Sequence, residues 1–301
     1  MNYKKLLPNL KLRLKILDML EFIPDKLMIK LQYWIKTGRK LNLKDPKRYN
    51  EKLQWYKLYY RDSLMTKCSD KYRVREFVSS KGLKDILIPL YGVYNDPNEI
   101  NFNELPNEFV LKTNNGSGSH ANILCSNKNM LNINETVNIL NYWLKTGSIK
   151  AGREWAYYNI KPKIICEKFL KTNSEYGLID YKFYCFNGEP SYIKVVMDRF
   201  SAGYTKQGIY DMNFNQLPYC RKGVEKITEQ IDKPKNFDVM CEIASKLSEN
   251  FPHVRVDLYN IEGKIYFGEL TFYDTSGYQI FEPDEFDFIL GDLFKLDKIM
   301  I

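Results

Sequence analysis

The stretch VRVDLYNIEGKIYFGELT, residues 254–271, contains two apolar segments joined by a short turn, which predicts a β-hairpin. Polar side chains recur at every second position of these segments: Arg255, Asp257, Glu269 and Thr271. If residues 261–263 form a three-residue loop, residue 257 pairs with 267 and residue 255 with 269. The four polar side chains then share one face, because side chains alternate between the faces of a strand. A four-residue loop would instead put Glu269 on the face opposite Asp257.

Two carboxylates on neighbouring strands, with a hydroxyl beside them, suit a hard cation. Magnesium held by one or two carboxylates usually also binds the phosphates of a substrate, and Arg255 fits a phosphate oxygen. The hairpin alone allows two interpretations. One is a magnesium and phosphate site, and the other is an exposed sheet face crossed by salt bridges.

A glycine-rich loop, TNNGSGSH at residues 113–120, follows the predicted strand Phe109–Lys112. Backbone N–H groups in such a turn can cradle phosphate oxygens, and Lys112 brings a positive charge to its mouth. The loop does not match the GxxxxGKS/T phosphate-binding pattern. On its own it is as consistent with a hairpin tip as with a nucleotide clamp, and we interpret His120 as a loop residue.

A third candidate element lies where the apolar strand 163–169 ends in Glu167, Lys168 and Phe169, and where Asp180 opens the next strand. A carboxylate can accept hydrogen bonds from ribose hydroxyls, and the chain between the two strands can contact an adenine edge. Taken alone, this segment is also consistent with a hairpin that has charged ends.

Helical and strand periodicities cover much of the remaining chain. The predicted helices start near Asn50, at Ser69, before Val137 and at Lys235, and the second one stops at Gly82. Further strands are predicted at 86–94, 180–186 and 192–197.

Composition excludes several classes of protein. The chain has 301 residues and a net charge of +8, and no segment is long and apolar enough to span a membrane. No signal peptide is evident, so we expect a cytoplasmic protein. Six scattered cysteines without a CxxC pair predict reduced core thiols, and two histidines are too few for a multi-histidine metal centre.

The positive charge is concentrated in residues 1–52, which hold 14 Lys and Arg against 5 Asp and Glu, so the remaining 249 residues sum to −1. A nearly neutral body argues against nucleic acid as a partner. Leucines at helical spacing follow the basic segment: Leu7, Leu10, Leu14 and Leu17. This pattern predicts a helix that either packs on the body or lies on an anionic membrane surface. We favour packing, because Leu12 and Ile16 widen the apolar face.

Six segments in this order resemble the ATP-grasp enzymes, and more narrowly the TupA-like ATP-grasp family: PLYGVY, FVLKTNNGSG, IICEKFL, DYKFYCFNG, VRVDLY and YFGELTFYDTSG. The resemblance runs from about Asn50 to about Asp287. It implies an α+β fold in which two α+β lobes clasp ATP. The implied division is a basic helical region (1–49), a pre-grasp subdomain (50–104), a glycine-loop lobe (105–165) and a C-terminal lobe with the metal site (166–301).

The resemblance also implies roles for individual residues. Residues expected to bind ATP are Lys71, Lys112, Asn115, Gly116, Ser117, Gly118, Glu167, Phe169 and Asp180. Arg255 and Lys182 are expected to act on the phosphates, and Asp257, Glu269 and Thr271 to hold Mg²⁺. The wider superfamily commonly has Asn where Thr271 stands, so a second metal ion would be held through water or by Asp274.

The function implied is that of an ATP-dependent carboxylate–amine ligase that works through an acylphosphate in surface or capsular polysaccharide biosynthesis, including that of teichuronic acid. Its substrates would be ATP and a glycan, a uronic acid or an amino acid. A sugar kinase on the same fold and a nucleotide-regulated assembly subunit remain alternatives.

Overall fold

The computed structural model describes residues 9–116, 122–146, 150–197 and 205–296. The α-helices of this part of the chain are α1 (Leu10–Met19), α2 (Asp25–Thr37), α3 (Tyr49–Tyr59), α4 (Ser63–Ser69), α5 (Val74–Ser80), α6 (Ile133–Thr146), α7 (Phe237–Ser248) and α8 (Glu285–Leu293). Its first strands are β1 (Leu90–Tyr94), β2 (Phe109–Thr113), β3 (Asn122–Cys125), β4 (Ile164–Lys168), β5 (Asp180–Phe186), β6 (Glu189–Met197) and β7 (Lys206–Tyr210). The remaining strands are β8 (Gln216–Leu217), β9 (Cys220–Arg221), β10 (Glu225–Lys226), β11 (His253–Ile261), β12 (Lys264–Thr271) and β13 (Phe281–Glu282).

A four-stranded antiparallel sheet with the order β1-β4-β2-β3 forms the smaller half of the fold. Its buried face carries Phe109, Leu111 and Cys166, and Leu140 of α6 belongs to the same core. Strand β2 alternates buried and half-buried residues, which leaves Val110 and Lys112 on the opposite face. That face is the one available to the candidate site.

A larger sheet has the order β10-β7-β6-β5-β11-β12, with β8 paired to β7. Helix α7 presents Met240, Ala244 and Leu247 to the core of this sheet. Every residue of β5 is buried, so polar side chains on this strand lie in a dry environment where partners are required. Together the two sheets confirm the predicted α+β class.

The N-terminal helices pack on the larger half. Helix α2 buries Met28, Ile29 and Tyr33, and the last two share a small apolar cluster with Tyr278. The side chain of Arg153 donates to the Asp25 carboxylate at 2.9 Å. The fourfold domain division expected from the sequence stays a prediction.

The hairpin turn differs from the predicted three-residue loop. Ile261 pairs with Lys264, so the turn has two residues, Glu262 and Gly263, with φ angles of 52° and 95°. Two positive φ angles give a turn whose twist matches that of the strands, which favours this shorter loop. The predicted pairs 257–267 and 255–269 are therefore wrong.

A β-bulge at Gly268 nevertheless preserves the shared face. Leu258 pairs with Phe267, but the next pair is Asp257 with Glu269, so Gly268 is the extra residue of β12. Arg255 then pairs with Thr271. Without the bulge, the two-residue turn would put Glu269 on the face opposite Asp257.

Two predicted boundaries also shift. The strand expected at 86–94 begins at Leu90, because Lys84–Ile86 form a turn of 3₁₀ helix. The helix expected from Ser69 to Lys81 is interrupted at Asp70, whose carboxylate accepts the N–H groups of Tyr72 and Arg73 before α5 begins.

All six cysteines are free thiols, as expected. Among the residues that the structure describes, no helix has the length and apolarity needed to cross a membrane.

Candidate active site

The candidate site is built on a row of charged side chains that crosses the larger sheet. Glu269 on β12 pairs with Asp257 on β11, Asp257 pairs with Lys182 on β5, and Lys182 pairs with Lys194 on β6. Neighbouring strands in register place these side chains on one face, about 5 Å apart from strand to strand. Two acidic residues therefore adjoin two basic ones.

The Asp257 carboxylate is buried and bound by two cations. Arg255 donates from Nε to Oδ1 and from Nη2 to Oδ2, each at 2.7 Å, and Lys182 Nζ donates to Oδ2 at 2.5 Å. This forked arrangement fixes the plane of the guanidinium group. Lys182 Nζ also lies 3.5 Å from the Asp180 carboxylate.

Asp274 holds the other end of Arg255. Arg255 Nη1 donates to Asp274 Oδ1, and the same carboxylate accepts hydrogen bonds from Lys194 at 2.8 Å and from Tyr184 at 2.7 Å. Burial alone would raise the pKa of Asp274, but the charges of Lys194 and Arg255 hold it well below its ordinary value. Asp274 is therefore ionised, and its role in this structure is to orient Arg255. Its role as an additional metal ligand stays a prediction.

Glu269 is the more accessible of the two hairpin carboxylates, with a side chain 35% exposed. Its Oε2 atom lies 3.2 Å from Lys71 Nζ, and its Oε1 atom accepts from the Thr271 hydroxyl at 3.3 Å. Lys71 also donates to the carbonyl oxygen of Gly116 at 2.6 Å. This lysine therefore connects the hairpin to the start of the glycine-rich loop.

Lys112 and Glu167 lie on neighbouring strands of the smaller sheet. Lys112 Nζ is 2.5 Å from Glu167 Oε2, and Arg75 Nη1 is 3.6 Å from Glu167 Oε1. Glu167 is thus a buried carboxylate between two cations, at the edge where the two sheets face each other.

Two adjoining cavities collect most of the predicted residues. A cavity of about 350 Å³ is lined by mostly apolar groups together with Lys112 and Glu167, and Phe169 and Tyr259 are among its walls. A smaller one of about 50 Å³ is lined almost entirely by polar groups, including Lys71, Lys112, Gly116, Asp180, Lys182, Asp257 and Glu269. Lys112, Asn122 and Tyr259 line both. An apolar compartment beside a small charged one suits a ligand with a flat ring at one end and phosphates at the other.

Of the predicted residues that the structure describes, Arg255, Thr271 and Asn115 are not among the lining of either cavity. Ser117 and Gly118 lie outside the described residues. Asn115 is buried, and neither polar atom of its side chain has a hydrogen-bond partner within the part of the chain that the structure describes. A buried amide without partners is costly, so this position is one that a bound ligand or the adjacent loop would satisfy.

Sequence reasoning missed two contributors. Lys194 is a lysine inside the apolar strand 192–197, and its position opposite Lys182 is the signal that would have identified it. Arg75, which contacts Glu167, lies on helix α5 and carries no signal beyond its charge.

The donor set suits Mg²⁺ only in company with phosphate. Asp257 and Glu269 are paired oxygen donors in one cavity with three lysines that suit phosphate oxygens. Among the described residues, no group of three or more His, Cys, Asp or Glu is arranged to hold a metal ion. Two carboxylates completed by phosphate oxygens are a common arrangement for Mg²⁺, so the residues present fit this ion.

Comparison with known proteins adds a family. The model of the TupA-like ATPgrasp family matches residues 51–295. No match was found among curated proteins.

Several solved structures are similar at low identity. D-alanine–D-alanine ligase from Bacillus anthracis is 19% identical with a TM-score of 0.40, over 68% of this chain and 56% of that one. The corresponding ligase from Helicobacter pylori is 16% identical with a TM-score of 0.41, over 76% and 61%. This chain therefore spans less than two thirds of either ligase.

Proposed function

Because this chain belongs to the TupA-like ATP-grasp family and has the ATP-grasp fold, we propose that it is an ATP-dependent ligase that joins a carboxylic acid to an amine or a similar nucleophile. The observation that carries the proposal is the opposition of Asp257 and Glu269 in a cavity shared with Lys71, Lys112 and Lys182. Two carboxylates can hold Mg²⁺ and three lysines can neutralise phosphate oxygens, so this set of side chains suits a magnesium-bound triphosphate.

In this proposal the two cavities bind the two ends of ATP. The adenine ring occupies the larger cavity, against Phe169 and Tyr259, and Asp180 accepts from the ribose hydroxyls. The phosphates lie in the small cavity, where Lys71, Lys112 and Lys182 neutralise them. Asp257 and Glu269 hold Mg²⁺, which supplies charge neutralisation at the transferred phosphoryl group.

The first chemical step is phosphoryl transfer to the acid. A carboxylate oxygen of the acid forms a bond to the γ-phosphorus, the bond from that phosphorus to the β–γ bridging oxygen breaks, and ADP leaves with its electron pair. Little covalent chemistry falls to the protein in such a step, so positioning and charge dominate. Arg255, fixed by Asp257 and Asp274, adds a positive charge directly behind the Asp257 carboxylate of the phosphate cavity.

The second step consumes the acylphosphate. The amine attacks the acyl carbon, inorganic phosphate leaves, and the amine nitrogen loses a proton to water or to the leaving phosphate. No side chain needs to act as the base.

We place the reaction in surface or capsular polysaccharide biosynthesis, because the TupA-like family is associated with it. The acid or the amine is then a glycan, a uronic acid or an amino acid, and the reaction takes place in the cytoplasm, where ATP is available.

Contact with an anionic membrane surface belongs to the same proposal. Helix α2 docks on the body by one face but exposes three large apolar side chains at helical spacing on the other: Leu27 at 59%, Leu31 at 45% and Trp34 at 58%. The same helix also carries Lys26, Lys30 and Lys36. Apolar and basic groups on one helix suit a lipid surface. The prediction for the leucines at residues 7–17, packing on the body or contact with a membrane, stays a prediction. Leu7 and the side chains of Leu10 and Leu14 lie outside what the structure describes.

The activity is tested by supplying purified protein with MgATP, candidate acids and candidate amines, singly and together. We expect ADP release that requires both an acid and an amine, with a product whose mass equals their sum minus water. Release of ADP with a phosphorylated sugar and no condensation would identify a kinase. ATP binding without turnover on any substrate would favour an assembly subunit.

A further inference from the structure

A third cavity of about 260 Å³ lies beside the loop that follows the hairpin, and neither the adenine nor the phosphates of the proposed site would occupy it. We call it the basic cavity. Its lining includes Lys36, Arg221, Lys222, Thr275, Ser276 and Gln279.

The basic cavity adjoins the reacting end of the candidate active site. Gln279, one of its walls, donates from Nε2 to the Asp274 carboxylate at 3.1 Å. Asp274 in turn binds Arg255. Arg255 also donates to Asp257, which lines the charged cavity, so Asp274 and Arg255 connect the wall of the basic cavity to the proposed phosphate site.

The charge of the cavity comes from two separate parts of the fold. Lys36 belongs to helix α2, whereas Arg221 and Lys222 belong to β9 and the residue after it. Lys222 pairs with Glu282 at 2.8 Å, but both side chains are more than half exposed, so water weakens this pair. No carboxylate is among the described lining residues. A concave surface of this kind concentrates anions.

Helix α2 is held in place against this cavity. The Tyr278 hydroxyl donates to Gln32 at 2.8 Å, and Gln32 donates to the carbonyl oxygen of Ala151 at 2.8 Å. Lys36 Nζ lies 3.9 Å from the centre of the Tyr278 ring. Lys36 is thus positioned by contacts with the body, although it lies outside the segment 51–295 that matches the family model.

The cavity wall contains strained backbone. Thr275 and Ser276 are consecutive non-glycine residues with φ angles of 49° and 57°. Lys57 holds this conformation by donating to the Ser276 carbonyl at 2.7 Å, and Gln54 donates to the Gly277 carbonyl at 2.6 Å. Left-handed conformations are costly for threonine and persist where the surroundings enforce them, frequently at ligand sites.

Arg221 also lines an open groove of about 570 Å³, together with Gln207, Gly223 and Glu225. The two spaces share this side chain. A substrate longer than the basic cavity therefore has room to extend into this groove.

We propose that the basic cavity binds the acid substrate of the ligase through a second anionic group, and that Lys36 and Arg221 select an acid carrying at least two negative charges. The inference rests on the proposed function for the identity of the reaction, but the anion site itself is independent of it. The dianion can come from an acidic sugar or from an acidic amino acid, and the experiment separates these sources.

The test is calorimetric titration of the full-length protein, saturated with Mg²⁺ and a non-hydrolysable ATP analogue so that the phosphate cavity is filled. The titrants are digalacturonate, the dipeptide Glu-Glu and neutral maltose, all at one ionic strength. We expect at least one dianion to bind and maltose not to bind. Tighter binding of digalacturonate identifies the sugar source, and tighter binding of the dipeptide identifies the amino-acid source.

Variants assign the binding to this cavity. Lys36→Gln and Arg221→Gln should each weaken dianion binding roughly tenfold or more, because each removes one charge-assisted hydrogen bond. Lys30→Gln, which removes the same charge from an exposed position of the same helix, should bind as the wild type does. Absence of dianion binding by the wild type, or equal binding by Lys36→Gln and Lys30→Gln, would overturn the proposal.

The two proposals fail in different ways. Asp257→Asn should lose ADP formation and keep dianion binding, since Asp257 does not line the basic cavity. Dianion binding that depends on Lys36, without any ADP formation by the wild type, would refute the ligase and leave the anion site. ADP formation that requires both an acid and an amine, with dianion binding unchanged in Lys36→Gln, would support the ligase and refute the anion site.

Discussion

At the scale of single residues, charge balance decides how the candidate site is held. Arg255 lies between Asp257 and Asp274, and Lys182 and Lys194 each bind one of these carboxylates. Each of these five buried charges thus has an oppositely charged partner, which is the condition for keeping it ionised away from water. The same cations suit phosphate oxygens, so a bound triphosphate would meet groups that are already charged and oriented.

Lys112→Met should weaken ATP binding, because Lys112 lines both the apolar and the charged cavity. We expect a loss of roughly tenfold or more in affinity for MgATP, the size of one charge-assisted hydrogen bond. Titration calorimetry measures it, with Lys84→Met at an exposed position as the control. Equal affinity in the two variants would remove Lys112 from the site.

At the scale of elements, the hairpin shows how two departures from a simple ladder combine. The two-residue turn alone would separate Asp257 from Glu269, and the bulge at Gly268 restores them to one face. A Cβ atom at Gly268 would lie 2.9 Å from the carbonyl oxygen of Asp257. The obstacle is backbone, which cannot move aside as a side chain can, so the bulge requires glycine.

Gly268→Ala should therefore lower stability and weaken MgATP binding together. We expect a loss of about 1–3 kcal/mol in the free energy of unfolding, as for other overpacked positions. Urea unfolding measures the first effect and calorimetry the second. Gly208→Ala, in the same sheet, is the control because its Cβ would meet only side chains. If Gly268→Ala and the control bind MgATP with equal affinity, the bulge does not determine the geometry of the site.

The hairpin also shows what the sequence could and could not predict. Polar residues at period two in apolar strands are a local pattern, so the shared face of Arg255 and Asp257, and that of Glu269 and Thr271, were within reach. The pairing partners were not, because a bulge depends on one glycine and on contacts across the strands. The Asp274 carboxylate meets Lys194 and Tyr184 from 80 and 90 residues away in the chain, and a single sequence does not display such contacts.

At the scale of the whole molecule, one buried histidine makes the free energy of unfolding depend on pH. His253 is fully buried, its Nδ1 lies 2.9 Å from the carbonyl oxygen of Cys185, and its Nε2 lies 2.8 Å from the Tyr49 hydroxyl. A neutral ring satisfies both contacts if Nδ1 donates and Nε2 accepts. Burial lowers the pKa of His253 from 6.5 to about 4.

This shift predicts a loss of stability in mild acid. Between pH 6.5 and about 4 the unfolded chain binds a proton that the folded chain does not, so His253 contributes about 1.4 kcal/mol of destabilisation per pH unit as pH falls through that window. Above pH 6.5 this contribution is constant. Urea unfolding at a series of pH values measures it, and His253→Asn should show a correspondingly shallower dependence. Parallel curves for the two proteins would contradict this account.

The exposed stripe on helix α2 predicts reversible membrane association. Each Lys or Arg near an anionic surface contributes on the order of 1 kcal/mol, and salt screens this attraction. The protein should sediment with vesicles containing anionic lipid at low ionic strength and be released at high salt. Trp34→Ser should reduce the bound fraction, with Tyr142→Ser on α6, another exposed aromatic residue, as the control. No sedimentation of the wild type at low salt would leave docking on the body as the only role of this region.

The most direct test of the central claim is magnesium-dependent binding of ATP to the wild type and to Glu269→Gln, measured by titration calorimetry with and without Mg²⁺. Glu269 suits this test because its side chain is 35% exposed and because Lys71, its cationic neighbour, still donates to the Gly116 carbonyl oxygen in Glu269→Gln. We expect the wild type to bind ATP more tightly with Mg²⁺, and Glu269→Gln to lose most of that gain, while Glu262→Gln in the turn of the same hairpin keeps it. Absence of ATP binding by the wild type, or an undiminished magnesium effect in Glu269→Gln, would contradict the account.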